Sequence, residues 1–204
     1  VGFVDAASSG GNRTSHVVRI PSDVRAGDRL VLFLTLNGST SPVVPAGWSL
    51  VDQTDGNAFT GRVWTKVATA ADANANVVVS TPTILKSAMS VAAYRSSTGS
   101  VEIGDVRSAS LNGATSLTVP PVSLGGGALV VGYVGLKNSS AVSTALPSSL
   151  VSRSSVDGSG AGAAYSVLAD SDEYLSGGSF GGTTVSFSVT ATRSLYYLLS
   201  LKAV

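Results

Sequence analysis

Cysteine is absent from the chain, which excludes a disulfide framework and any thiolate chemistry. A core built from 204 residues can stand without bridges, so this absence leaves the redox compartment open. Charge is scarce as well: 12% of residues are charged, the formal net charge is +1, and the mean hydropathy is positive. Such a chain carries no electrostatic footprint for nucleic acid or anionic lipid, and its partners are expected to be uncharged or recognised by shape. No apolar run approaches the roughly 20 residues of a membrane span, so no membrane insertion is expected. The chain begins at Val1, with neither an initiator methionine nor a charged-then-apolar leader, and reads as a processed or excised product. Only four lysines accompany 23 glycines and an Ala/Ser/Val/Thr bias, which hints at a GC-rich genome.

The residues of catalysis are thin too. His16 is the single histidine, so a Ser-His-Asp triad could be built only around it. Glycosidase chemistry needs two carboxylates across a cleft; the chain has Glu102, Glu173 and ten aspartates, mostly in turns, where they close the loop by bonding the backbone. The string GSGAGAA (158–164) lacks the strand-then-helix setting of a phosphate-cradling loop. NRT (12–14) and NSS (138–140) match the glycosylation sequon. A non-catalytic protein with no required cofactor is expected.

What is present is β structure. Segments of four to nine residues rich in Val, Leu, Thr and Tyr recur between Gly, Pro, Asn, Asp and Ser clusters, and no window holds a helical period for three turns. The pattern predicts strands near 15–20, 29–36, 47–52, 60–69, 76–80, 87–95, 101–108, 115–119, 127–135, 149–154, 161–169, 183–190 and 194–202.

The second half of the chain echoes the first. HVVRIPSDVRAGDRLVLFLTLNGS (16–39) aligns with SLTVPPVSLGGGALVVGYVGLKNS (116–139), and PAGWSLV (45–51) with LPSSLV (146–151). GRVWTKVATAAD (61–72) aligns with GAAYSVLADSDE (162–173), and SAMSVAAYR (87–95) with SLYYLLSLK (194–202). The repeats, 1–99 and 100–204, predict a single all-β domain: a jelly-roll-like antiparallel β-sandwich with pseudo-twofold duplication, the halves interleaved. The alternative is two tandem immunoglobulin-sized sandwiches, disfavoured because the junction 96–114 carries strand-like VEIGDVRS and no Pro-rich or charged linker. The run of leucines at 195, 198, 199 and 201 predicts a strand buried on both faces.

The strings IPSDVRAGDRLVLFL, VPAGWSLV, GRVWTKVATAAD and SAMSVAAYRS together resemble a β-sandwich repeat of secreted multidomain actinobacterial proteins and of minor tail proteins of actinobacteriophages. The resemblance spans nearly the whole chain; the final motif reads Ala93-Tyr94-Arg95-Ser96, without the glycine usual there. It implies an extracellular, secreted or virion-borne module with no assigned catalytic residues.

Two groups of residues are candidate sites. Trp48, with Asp52, Asp55 and Asn57 nearby, could form a sugar platform of ring and hydrogen-bonding rim. In the alignment Gly47-Trp48 falls on Ser148-Ser149, so the repeat does not require an indole there, and a core role for Trp48 stands beside the binding role. Trp64 faces Tyr165 in the alignment, an aromatic exchange that predicts a core position. Asp170, Asp172 and Glu173 in DSDE are hard oxygen ligands at close spacing, a candidate calcium site. The function expected is adhesion or binding of a glycan or cell-surface polymer; the alternative is a structural component pairing with copies of itself, and a polysaccharide-active enzyme ranks third.

Overall fold

The computed structural model describes residues 1–56 and 58–204. Among these the chain forms β1 (Gly2–Arg19), β2 (Arg29–Leu36), β3 (Ser49–Gly56), β4 (Phe59–Val67) and β5 (Asn76–Arg95) in its first half. The second half forms β6 (Val101–Thr118), β7 (Val122–Gly125), β8 (Leu129–Asn138), β9 (Thr144–Ala145), β10 (Val151–Val156), β11 (Ala163–Asp170), β12 (Gly178–Phe180) and β13 (Thr184–Ala203). The protein is all-β and every strand pairing is antiparallel.

Each half builds one main sheet. The first runs β1-β5-β2-β4-β3; the second runs β10-β11-β8-β13-β6, with β9 added to β13 and a separate β7–β12 pair. Read from the other side, the second order is β6-β13-β8-β11-β10, strand for strand the order of the first. The sheets stack face to face as a sandwich, and neither contains a strand of the other half. Interleaving of the halves is thereby corrected: hairpins and their neighbours close each sheet locally, and no strand ladder among the described residues crosses between the halves.

Four long strands are each longer than the inner sheet needs, and the excess serves a purpose. In β1 and β5 the segment Val17–Arg19 pairs with Asn76–Val78 beyond a register shift at Arg13/Ser15. Such irregularities bend a strand, and this ribbon places Val18, Val77 and Val79 over Leu32, Leu34, Trp64 and Met89 on the outer face of its own sheet. The second half does the same: Leu117 of β6 and Val185 of β13, past a shift at Ser186/Ala191, cover Val130, Val134 and Leu198. The middle strands β2, β8 and β13 are consequently buried on both faces, which explains their continuous apolar runs. Tyr196 and Tyr197 project to opposite faces and both are fully buried, one in the outer cluster and one between the sheets.

Between the sheets, Phe33 of β2 stacks on Tyr133 of β8 with ring centroids 4.7 Å apart and planes at 10°. The Tyr133 hydroxyl lies 3.0 Å from Thr35 Oγ1 and donates to the Ala88 carbonyl at 3.1 Å, so it is satisfied in the apolar interior. Gly135 makes this approach possible, because a Cβ there would fall inside the van der Waals contact of Thr35 Oγ1 and 3.1 Å from Leu195. Thr35 is buried and β-branched and cannot swing away without losing Tyr133. Gly135→Ala is expected to cost about 1–3 kcal/mol by overpacking, whereas Gly126→Ala, with open space around its Cβ position, serves as control. Urea midpoints measure both; an unshifted midpoint for Gly135→Ala would show that the sheets part easily.

The quoted motifs are structural. Arg95 forks onto Asp28, Nε to Oδ1 at 2.7 Å and Nη2 to Oδ2 at 2.8 Å, and the Arg25 amide also donates to Asp28. Burial alone would raise the Asp72 pKa, but bonds from Lys66 and from the Thr69 amide and hydroxyl outweigh it and hold the group below its ordinary value.

Candidate functional site

Trp48 is in the core, and a ring-stacking role for it is corrected. It is 8% exposed and packs with Ile20, Val24 and Trp64 under the ribbon on the outer face of the first sheet. Its amide closes a turn on the Pro45 carbonyl at 3.1 Å, with Gly47 supplying the positive φ of 79° that a type II turn needs. In the second half the Leu150 amide closes on Pro147 at 3.0 Å, and Leu150 is 6% exposed. The counterpart of Trp48 is therefore Leu150, the residue after Ser148-Ser149, and both positions fill a core. A groove of about 300 Å³ runs beside Trp48, but it is bordered by Lys66 and Asp72, which bond each other.

The acidic residues expected around Trp48 lie elsewhere. Asp52 and Asp55 are on β3, where Asp55 pairs with Arg62 at 2.7 Å and Asp52 bonds the following amide. Asp52 influences Tyr197, which belongs to the inter-sheet core and lies on the opposite side of the sheet from Trp48. Asn57 lies outside the described residues.

At the candidate calcium residues a cationic side chain is already bound to two of the three carboxylates. Arg153 donates from Nε and Nη2 to Asp170 Oδ1 at 2.9 and 2.7 Å and reaches Asp172 with the same Nη2. Glu173 is exposed and does not join them. Among the described residues no three His, Cys, Asp or Glu side chains converge as metal ligands. His16 is buried beside Thr81, 3.4 Å from its hydroxyl, with its pKa lowered first by burial and then by Arg13.

The arrangement with open chemistry lies at the seam between the sheets. A cavity of about 360 Å³ opens where β1 and β5 of the first half meet β10, β11 and their connecting loop in the second. Its floor is small and apolar, formed by Val156 and Ala164 next to Ala88. Gly10 and Gly11 leave one wall without side chains, and a Cβ on Gly10 would press on Val156 at 2.6 Å. The rim is polar: Asn12, Lys86, Ser87, Asp157 and Ser159. Asn12 and Asp157 are exposed, and neither side chain is engaged in a hydrogen bond or ion pair among the described residues.

Lysines fix the loops around this seam. Lys86 Nζ donates to the carbonyls of Ser159 and Ala161 at 2.8 and 2.9 Å, tying the β10–β11 loop to the first half. Reciprocally, Lys137 Nζ of the second half donates to the carbonyls of Asn37 and Ala58, both at 2.9 Å; burial and then Arg193 lower its pKa. Asn37 adds a bond to the Gly162 carbonyl at 2.9 Å. The seam is thus held before any ligand arrives, which reduces the ordering cost of binding. A larger, more open concavity of about 810 Å³ lies near the first residues of the chain, but the Arg95 on its wall is committed to Asp28. Nothing in the local sequence marked the seam, since Asn12, Lys86 and Asp157 are far apart along the chain.

Compared with protein-family models, with curated proteins and with solved structures, the chain has no match.

Proposed function

We propose that the protein is a non-catalytic recognition module of a secreted, cell-surface or phage-tail protein, and that it binds a neutral glycan in the seam cavity. The observation that carries this reading is the pairing of a small apolar floor with two uncommitted polar side chains, Asn12 and Asp157, on a rim held by Lys86. A pyranose presents the matching surfaces: a patch of C–H groups for Val156 and Ala164, and hydroxyls that both donate and accept. Asp157 accepts two such donors, the Asn12 amide offers both functions, and Lys86 retains a third ammonium hydrogen. Opposite charges on Asp157 and Lys86 leave the rim without a net preference for an ionic ligand.

The test is a glycan array followed by NMR titration with the best oligosaccharide. Amide shifts are expected at Asn12, Ser87 and Ser159, with little change at Trp48. Asp157→Ala is expected to weaken binding about tenfold, or about 1.4 kcal/mol, with the fold intact because the carboxylate is exposed and unpaired. Absence of binding to any glycan, or full affinity in Asp157→Ala, would overturn the reading.

A further inference from the structure

The sandwich has four sheet edges, and three are guarded. The β3 edge is short, carries Asp52 and Asp55 and is broken by a register shift at Leu50/Asp52. The β10 edge has six residues, a shift at Ser152/Ser154 and Arg153. The β1 edge lies against β10, with the Ser8 hydroxyl donating to the Ser155 carbonyl at 2.8 Å, and most of its residues from Phe3 to Ser9 are half-buried. Interrupted, charged or covered edges resist pairing with another chain.

The fourth edge, β6, has none of these protections over Ser108–Asn112, before the positive φ of Gly113 (63°) and the register shift at Ala114/Ser116. Residues 108–118, SASLNGATSLT, contain no charge and no proline, and Ser110, Leu111, Asn112 and Gly113 are exposed, Leu111 at 48%. The direction of its free backbone groups follows from β13. The Leu111 carbonyl turns toward β13, where the Ser194 hydroxyl donates to it at 3.4 Å, and the Asp105 amide donates to Ser200 Oγ on the same strand at 2.8 Å. Odd-numbered residues of this stretch therefore face β13, and the N–H and C=O groups of Ser108, Ser110 and Asn112 face outward.

We infer that this edge joins a second copy of the chain in an antiparallel, twofold-symmetric strand pair centred on Ser110. With Ser110 opposite itself, Ser108 meets Asn112, so every residue with outward backbone groups meets another of the same kind. Ala109 meets Leu111, which covers an exposed apolar side chain on the same face. Arg107, held by Asp105 at 2.8 Å, meets Gly113, so no charge meets its like. The edge is self-complementary in hydrogen bonding, shape and charge, which a twofold contact requires. Because β6 is at the opposite edge of its sheet from β10, both seam cavities of the dimer remain open. Two sites on one particle would raise avidity for a repeating surface polymer.

Light scattering and sedimentation of the intact chain at NMR concentrations are expected to give a dimer mass. Ser110→Lys and Ser110→Glu, exposed changes that leave the β13 ladder alone, are each expected to give monomers by like-charge repulsion at the axis. Mixing the two variants is expected to restore the dimer, and Ser110→Cys is expected to cross-link under mild oxidation. A monomeric wild-type chain, or a dimer that persists in Ser110→Lys, would overturn the inference.

Discussion

Replacing Arg153 by alanine is expected to destabilise the protein by about 3–5 kcal/mol, the usual cost of stripping a buried charge of its partner. Asp170 is fully buried, and Arg153 supplies two of the three donors to its Oδ1, the third being the Asp172 amide at 2.8 Å. The guanidinium also lies 4.4 Å from the centre of the Phe3 ring, and Phe3 meets Tyr94 edge-on at 5.9 Å. Hydrogen bonds that Arg153 donates to Asp170 and Asp172 hold its pKa above its ordinary value, with burial opposing. One arginine thus joins a second-half carboxylate to first-half aromatics, and its loss would be felt across the sandwich. Arg153→Lys keeps the charge but loses the fork, so it should fall between wild type and alanine. The double variant Arg153→Ala/Asp170→Asn removes both charges and should recover part of the loss, which separates electrostatics from simple loss of packing. Chemical denaturation of the four proteins gives the cycle; a loss below about 1 kcal/mol in Arg153→Ala would mean that water reaches Asp170.

That ion pair was partly legible in the sequence. The loop DGSGAG between VSRSSV and AAYSVLAD is a hairpin signal, and closing that hairpin brings Arg153 beside Asp170. Counting acidic oxygens in DSDE without asking which cation the hairpin delivers led to calcium. The strands themselves were legible wherever alternation or apolar runs are strong, as in β2, β4, β8 and β11. The long bent strands were not: β5 reads as two strands around Thr81-Pro82-Thr83, and β6 as two around Leu111–Ala114. The first part of β1, with Ala6-Ala7-Ser8-Ser9-Gly10-Gly11, reads as a loop. Small polar residues are turn formers in isolation, but on an edge that crosses close to β10 they are what leaves room, as Gly10 does for Val156. Trp48 was misplaced for a related reason. Aligning the Ser-Leu-Val strings set the register by the strand, whereas the hydrogen-bonded turns set it independently and give Leu150 as the partner. The seam cavity could not be read at all, because it depends on how two sheets stack and not on any contiguous stretch.

Raising the pH above 10 is expected to unfold the protein in one cooperative step, driven by phenols that the fold keeps protonated. Tyr133 is fully buried, and burial pushes its pKa from 10.0 to about 12 despite the Thr35 hydroxyl beside it, which lowers it. Burial also raises Tyr94, with the Asp170 carboxylate adding to the effect, and raises Tyr196 and Tyr197. In the unfolded chain these phenols ionise near their ordinary value of about 10. Below that pH both states hold the proton and the contribution to stability is complete. Between about 10 and 12 the unfolded state has released protons that the folded state retains, so stability falls as pH rises. For Tyr133 alone the loss by pH 12 is roughly 3 kcal/mol, at about 1.4 kcal/mol for each pH unit between the two values. Tyr94 and Tyr197 act in the same direction and add to this loss. Phenolate absorbance should therefore appear together with the loss of near-ultraviolet circular dichroism, and not as a gradual titration of an intact fold. Tyr133→Phe should lower stability at neutral pH, where it breaks the bonds to Thr35 and Ala88, yet flatten the alkaline slope. Smooth ionisation near pH 10 with the dichroism unchanged would mean that solvent enters between the sheets, and with it the seam would lose the rigidity on which a preformed binding cavity depends.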